Sequence, residues 1–402
     1  MGEGEAVALR FAGVARPVVL VDAAEVMAGI DGALTGWGRT AGPASAADMA
    51  DAVAQITREG AGYRATSAYL DEALTGLPAA SAVCAVLADL SEAVFAPWPE
   101  AMALHAGGVE IGGRVIAFTG AARAGKSTLM ARLTAEGDMR VYCDDVLPVL
   151  PGGVALALGM APRLRIPLPA AASERFRAHV AAWRGISDDK YAYLPAPSVA
   201  AHGTRAPMGA LVILERRARG PARLQAEDAT EAAAHLLLRD MQEAGDAAAH
   251  LARVTALAEA VPCLRLVYAD LEEAVATIRA AFGAAGGLDG VRPAARRRAG
   301  MARRVAVVPV DPGQPLRRDP MAAPRRGRTG LWLVRRGGAG AFHLNPVAGA
   351  VWDLLAEPMT GDEIAAALAE VFPGVAPGRI AADVAGLLGG MRAAGLVAPA
   401  GG

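Results

Sequence analysis

The chain has 402 residues, 53% hydrophobic and only 4% aromatic, and its 40 basic and 41 acidic side chains leave a formal charge of −1. That length accommodates two or three domains, and the even charge excludes a global pull toward nucleic acid or an anionic membrane. Cys84, Cys143 and Cys263 have no paired spacing, so neither a disulfide framework nor a zinc site is suggested; no run approaches the roughly 20 apolar residues of a membrane span, and the start MGEGEAVALRF lacks a secretory pattern, which makes the cytoplasm the expected compartment.

In chain order, Ala6–Phe11 and Pro17–Val21 read as strands, and Ala23–Leu34 and Ala46–Arg58 as helices. Pro78–Phe95 reads as an amphipathic helix, with Val83, Val86, Leu87, Leu90 and Val94 on one side. Residues 1–100 carry no chemical motif and read as an accessory region on the core that follows. Ala103–Ile111 contains His105 on an expected strand. A lone strand histidine is commonly a core residue, but this one stands shortly before the most informative stretch of the chain.

That stretch is Arg114–Asp145. Gly120, Ala121, Ala122, Arg123, Ala124, Gly125, Lys126 and Ser127 fit G-x4-G-K-[ST], the phosphate-binding loop. Val115–Thr119 reads as a buried strand entering the loop, and Ser127–Ala135 as the helix leaving it. The chemistry needs that order. Glycines let backbone N–H groups curl around phosphate oxygens, and the helix N-terminus, Thr128 included, adds its positive end. Lys126 is expected on the β/γ-phosphates of ATP and Ser127 on Mg²⁺. The chain has only two lysines, Lys126 and Lys190. A chain so biased toward Arg keeps Lys where a compact ammonium must slip under a phosphate chain. Arg140–Val146 is expected to be a second strand ending in Asp144 and Asp145. One acid there can grip Mg²⁺ while the other draws a proton from an attacking hydroxyl; a turn or helix-cap pair is the bland alternative. Of the two, Asp144 is expected to remove the proton and Asp145 to hold the metal.

Beyond the acids, Leu147–Leu150 and Val154–Leu158 read as a hairpin. Arg163 and Arg165 alternate on one face of an extended stretch and could clamp phosphate or carboxylate, or simply be exposed charges. Lys190 sits in a loop-like setting. Leu211–Leu214 reads as a core strand, Ala229–Glu243 and Ala247–Ala260 as helices, Cys263–Tyr268 as a strand and Leu271–Phe282 as a helix. From Gly283 a Gly/Ala/Arg linker begins. Arg296–Arg298, Arg303, Arg304, Arg317, Arg318, Arg325, Arg326 and Arg328 form a basic belt that could attract an acidic peptide or nucleic acid, or be merely solvated. Strands Leu331–Val334 and Ala341–Leu344 and three helices, the second opened by the capping box Thr360–Glu363, make a compact module of winged-helix-like plan. It has no nucleophile, metal cluster or catalytic pair, and its third helix has few side chains suited to reading bases. We read it as a binding module, with nucleic acid a low-ranked partner.

Leu104-His105-Ala106, Val109-Glu110-Ile111, the loop Gly120–Ser127 and Asp144-Asp145 resemble the HPr kinase/phosphorylase superfamily, related to the phosphoenolpyruvate carboxykinase type of nucleotide-binding core. The resemblance implies a P-loop kinase fold of α/β class in which His105, Asp144 and Asp145 surround the γ-phosphate and an acceptor serine. The Glu-x-Arg-Gly signature of the bifunctional bacterial enzymes is absent, with Leu158-Gly159-Met160 roughly in its place. The fit is better to shorter relatives encoded with peptide-modification systems. Phe342–Pro346, Gly349–Trp352, Thr360–Ile364 and Gly395–Val397 resemble the PqqD-like peptide chaperones. That resemblance implies a leader peptide added as a strand near Leu331–Arg336, against Ile380, Val384, Leu387 and Leu388, most of which are expected to be ordinary core. The expected domains are 1–100, 101–282, a linker 283–302, and 303–402. The expected activity is transfer of phosphate from ATP to a serine on a precursor peptide or small protein. A non-catalytic ATP-binding scaffold is the alternative. The oligomeric state is open, a homo-oligomer included.

Overall fold

In the computed structural model, residues 5–121, 123–237, 247–283, 286–288, 291–293, 308–327, 330–335 and 341–400 are described. The chain is of α/β class and divides into two units: residues 1–227, 239–241 and 261–294 form the first, and 228–238, 242–260 and 295–402 the second.

Three strands set the frame of the first unit. Arg114–Gly120, Arg205–Arg216 and Cys263–Tyr268 run parallel, with Arg205–Arg216 between the other two. Their near-continuous apolar runs suit strands buried on both faces. The register places Gly120 opposite Leu214, and Tyr268 opposite Arg216, so the loop after Gly120 and the end of the third strand lie at the same end of the sheet. Antiparallel strands extend the sheet. Gly107–Ile111 pairs with Arg114–Gly120, and Arg140–Cys143 with Gly107–Ile111. Val154–Leu156, Val146–Leu150 and Met102–His105 follow in turn from the first residues of Arg205–Arg216. Helix Lys126–Leu133 packs against helix Leu271–Phe282. Arg132, 1% exposed, donates to both oxygens of Glu272 (2.8 and 2.6 Å) and to Glu136 (2.6 Å), fastening the two helices.

Residues 1–100 are built into this unit. Ala6–Phe11, Val18–Val21, Arg39–Pro43, Ala54–Glu59, Gly62–Ser67 and Leu74–Leu77 form a second, six-stranded sheet. Its apolar face and helices Ala24–Ala33 and Ala79–Ala93 share one core with Ala101, Ala103, Leu156, Leu158 and Tyr193. Backbone bonds from Thr35 to Gly159 (2.7 Å) and from Ala161 to Ala33 (2.8 Å) stitch the same parts together. No seam falls at residue 100.

Several elements differ from the sequence reading. The helix expected over 46–58 is one capped turn, Ala46–Ala50, with a box between Ser45 and Asp48, followed by the strand Ala54–Glu59. Pairing with Val18–Val21 overrides helix propensity there, burying Val53, Ala54 and Ile56. Strands Arg39–Pro43, Gly62–Ser67 and Leu74–Leu77 and the helix Glu174–Trp183 are additional. Helices Ala229–Leu237 and Ala247–Ala260 group with the second unit, not with the first as expected. Residues 292–293 of the expected linker pair in parallel with Arg223–Ala226; 294–302 lie outside the described residues.

The second unit has a three-stranded antiparallel sheet, Ala322–Gly327, Gly330–Arg335 and Ala341–Leu344, in that order. Helices Pro346–Leu354, Gly361–Val371 and Pro377–Ala393 share a core with Leu331, Leu333 and Leu344. Asn345 caps the first helix and the Thr360–Glu363 box the second. Helix Ala247–Ala260 packs against Gly330–Arg335 and Ala341–Leu344. Trp332 alternates with Leu331 and Leu333 and so points to the other face, where it is 3% exposed and beside His343. The sheet is therefore covered on both faces.

One buried acid offers a test of the core that residues 1–100 share. Asp89 on helix Ala79–Ala93 is 6% exposed and accepts a hydrogen bond from the Ser67 hydroxyl at 2.8 Å. Burial raises its carboxyl from 3.8 to about 6. The folded chain thus binds this proton more tightly than the unfolded chain, and the ionised carboxylate costs stability. The cost is absent below about pH 4, grows as pH rises, and is complete above about pH 6. Asp89→Asn keeps an acceptor for Ser67 and removes the charge. It should raise the melting temperature at pH 7.5, corresponding to at most about 3 kcal/mol, with the gain vanishing near pH 4 in paired thermal melts.

Candidate functional site

The site begins where strand Arg114–Gly120 runs out of room. A Cβ on Gly120 would stand 2.9 Å from the Ala124 methyl and 3.1 Å from the Leu214 carbonyl oxygen. At Gly125 the backbone is left-handed, φ +92°, and a Cβ would stand 2.5 Å from the Tyr268 hydroxyl. Both positions demand glycine. Tyr268 donates to the Ala124 carbonyl at 2.6 Å, so the end of a neighbouring strand holds the loop in shape. Arg123 also has positive φ, 66°. Ala121 and Arg123 are exposed and Ala124 is buried; Ala122 lies outside the described residues.

Helix Lys126–Leu133 starts at Gly125 with no side chain capping it. Its first N–H groups, those of Lys126, Ser127 and Thr128, stand at the positive end of the helix, a ready seat for an anion.

The acids arrive through strand pairing. Val146 lies opposite His105 in the pair formed by Val146–Leu150 and Met102–His105. That register sets Asp145, one residue earlier, beside the imidazole. His105 Nε2 lies 2.9 Å from Asp145 Oδ1, and Lys126 Nζ lies 3.2 Å from the same oxygen. Lys126 is 12% exposed, although Asp145 faces solvent. Hydrogen bonding by His105, followed by the charge of Lys126, holds the Asp145 carboxyl well below the usual range. Asp144 behaves in the opposite way. Burial and the charge of Asp145 push it up to about 6, against the opposing pull of Lys126 and the Ser127 hydroxyl that faces it. The Arg163 N–H also donates to Asp144, at 3.2 Å.

His105, Lys126, Ser127, Asp144 and Asp145 are therefore brought together at the mouth of the loop. Lys190 is not among them: it is exposed, in a turn where its N–H bonds the Asp188 carboxylate. Arg165 is exposed beside Tyr191. Two contributors were not foreseen. Tyr268 was legible only as the polar end of an apolar strand, a buried hydroxyl in need of a partner. Cys84, on helix Ala79–Ala93, reaches Arg163 at 2.8 Å from a part of the chain without a motif. Among the described residues no group of three or more His, Cys, Asp or Glu side chains could hold a metal by itself. Any cation here would share the Ser127–Asp144–Asp145 corner with phosphate oxygens.

In the second unit, the strand expected to offer a free edge, 331–336, is corrected by the pairing. Gly330–Arg335 is the central strand, bonded on both sides, and Arg336 lies outside the described residues. Its alternating Leu331 and Leu333 marked a half-buried strand, but the sequence did not show the third strand, Ala322–Gly327, that covers its other side. Each outer strand pairs with only one neighbour among the described residues. The expected groove residues Ile380, Val384 and Leu388 are buried core. Of the arginine belt, Arg296–Arg298, Arg303, Arg304 and Arg328 lie outside the described residues. Arg317 and Arg318 form part of a strand paired with Val397–Pro399, and Arg318 donates to the Trp352 carbonyl. Among the described residues no helix is long and apolar enough to cross a membrane.

The loop's steric constraint can be measured directly. Gly125→Ala should destabilise the protein by more than about 1 kcal/mol, from left-handed strain plus the approach to Tyr268. Tyr268→Phe in the same chain should restore part of that loss, since the hydroxyl is the atom approached. Denaturant unfolding of the two single variants and the double variant checks this; strictly additive losses would show that the two groups do not meet.

Comparison with known proteins assigns only the end of the chain. No curated protein matches it. Residues 331–397 match the family model of the coenzyme PQQ synthesis protein D (PqqD), and so form a PqqD-like domain.

Proposed function

We propose that the first unit is an ATP-dependent kinase of the HPr-kinase-like type, acting on a serine hydroxyl of a precursor peptide that the PqqD-like domain captures. The PqqD-like domain ties the chain to peptide modification or cofactor biosynthesis. The observation that carries the catalytic part is the meeting of Lys126 and His105 on Asp145, with Asp144 facing Ser127, at the mouth of an uncapped helix behind a glycine-bounded turn.

In this reading the loop N–H groups and Lys126 hold the triphosphate in line with the acceptor. Lys126 now rests on Asp145 and would exchange that partner for phosphate oxygens. Losing the cation frees Asp145, still oriented by His105, to take the hydroxyl proton. Asp144 faces Ser127, so these two are the pair suited to Mg²⁺, whose bound charge would offset that developing on the phosphoryl oxygens. The contacts thus favour the reverse of the expected division of labour, with Asp145 as the base and Asp144 at the metal. The second unit has two edge strands, and an extended leader can add to one of them. Ala341–Leu344, one of those edges, continues directly into the helix capped by Asn345. Capture would raise the acceptor's effective concentration at the site.

The test is transfer of labelled phosphate from ATP to a candidate precursor peptide. Lys126→Ala should abolish transfer with the fold intact by circular dichroism. Asp145→Asn should lower the rate by roughly 10²–10⁴-fold while retaining nucleotide, and Asp144→Asn should raise the Mg²⁺ concentration required. Wild-type turnover in Lys126→Ala would sink the assignment. Bound nucleotide with no label on any peptide would favour the scaffold.

A further inference from the structure

Next to Asp144 in the fold is Arg163, whose guanidinium has no ion-pair partner among the described residues. Strand Arg163–Arg165 pairs antiparallel with Tyr191–Tyr193. The Arg163 guanidinium lies over the Tyr191 ring, 3.8 Å from its centroid, and one end of it, Nη1, meets the Cys84 thiol at 2.8 Å. The Tyr193 hydroxyl is close enough to the Cys84 thiol to influence it. Arg163 Nε is shielded from solvent and has no hydrogen-bond partner. No ion pair joins Arg163 to any carboxylate among the described residues. Asp188 is near enough to feel its charge, but its oxygens are taken by the N–H groups of Lys190 and Tyr191 and by the Ser81 hydroxyl.

Such an arrangement is costly. A sheltered guanidinium normally acquires a carboxylate or phosphate to offset its desolvation. Here stacking on Tyr191 fixes the plane of the group while its strongest kind of partner is missing, which is the disposition of a fork awaiting an anion. The Arg163 N–H is bonded to Asp144, whereas its guanidinium turns to Cys84 and Tyr191, so the side chain is directed to partners other than the loop.

We propose that Arg163 is a specificity-determining residue that binds a carboxylate of the acceptor, so that the substrate is an acidic peptide segment. The reading rests on the kinase assignment for the identity of the ligand as the acceptor. The N-terminal region thereby gains a role: its helix Ala79–Ala93 supplies Cys84 and Ser81 to the wall that shapes this subsite.

The experiment uses the full chain and synthetic serine peptides bearing a single Glu, or Gln in its place, at each position within two residues of the serine. Binding is read by fluorescence anisotropy with a non-hydrolysable ATP analogue present, and transfer by label from ATP. At one position the Glu peptide should bind roughly tenfold or more tightly than its Gln twin and show a correspondingly lower KM. Arg163→Gln should erase that preference and leave the KM for ATP unchanged; Arg163→Lys should retain part of it. Equal binding of every Glu/Gln pair by the wild type would overturn the proposal. So would Arg163→Gln raising the KM for ATP with peptide preference intact, since the guanidinium would then serve the nucleotide. Should no peptide accept label, the binding arm still reads the subsite, and the kinase reading fails on its own.

Discussion

The absence of space at the ends of three parallel strands governs the candidate site. Gly120 is closed in by Leu214, and Gly125 by the hydroxyl of Tyr268, so the chain can leave the first strand only as a bare backbone turn. That turn forces the helix to begin at Lys126 without a capping side chain. An uncapped helix start is unfavourable alone and favourable beside an anion. The same crowding explains why the tyrosine matters although it holds no motif position: it sets the left-handed turn and satisfies the Ala124 carbonyl together.

Much of this was legible. The loop, its strand and helix and both acids could be named in advance because each follows from local spacing, and a spacing motif survives without knowledge of the fold; His105 was singled out by the family resemblance. Cys263–Tyr268 and Leu271–Phe282 were also placed to the residue. What could not be read were long-range pairings. Val53, Ala54 and Ile56 fit a helix face about as well as a strand, and only the neighbouring Val18–Val21 decides between them. Arg132 looks like an exposed helix charge, yet Glu272, 140 positions later, makes it a buried tie. The contribution of helix Ala79–Ala93 to the site rests on Cys84, a residue with no pattern around it.

The second unit shows the same limit in another form. Its capping residues Asn345 and Thr360 fix helix starts by local chemistry, and both were readable. Which strand lies at an edge is a property of partners, and Gly330–Arg335 turned out to have two. Trp332 appeared to be one more apolar residue in a short strand. Its burial requires a cover on the face away from the three helices, and helix Ala247–Ala260, more than seventy residues earlier, packs on that strand. An element inserted between two strands of the first unit thus completes the second.

The two acids show why adjacency in sequence says little about role. Asp144 and Asp145 are neighbours of identical chemistry, and spacing alone leaves them interchangeable. Consecutive residues at a strand end point in different directions, so one meets Ser127 and the Arg163 N–H while the other meets His105 and Lys126. Their carboxyl groups are driven apart as a result, Asp144 up to about 6 and Asp145 below the usual range. Paired titratable groups with diverging environments are a common signature of divided labour in catalysis. Each also repels the other, and the charge of Lys126, bonded to Asp145, offsets that repulsion for both. Moving that ammonium onto a phosphate chain would leave two unscreened acids side by side, a state that calls for a replacement cation at the same corner. In the kinase reading proposed above, dependence on a divalent ion would thus follow from the chain's own charges, whichever acid holds it.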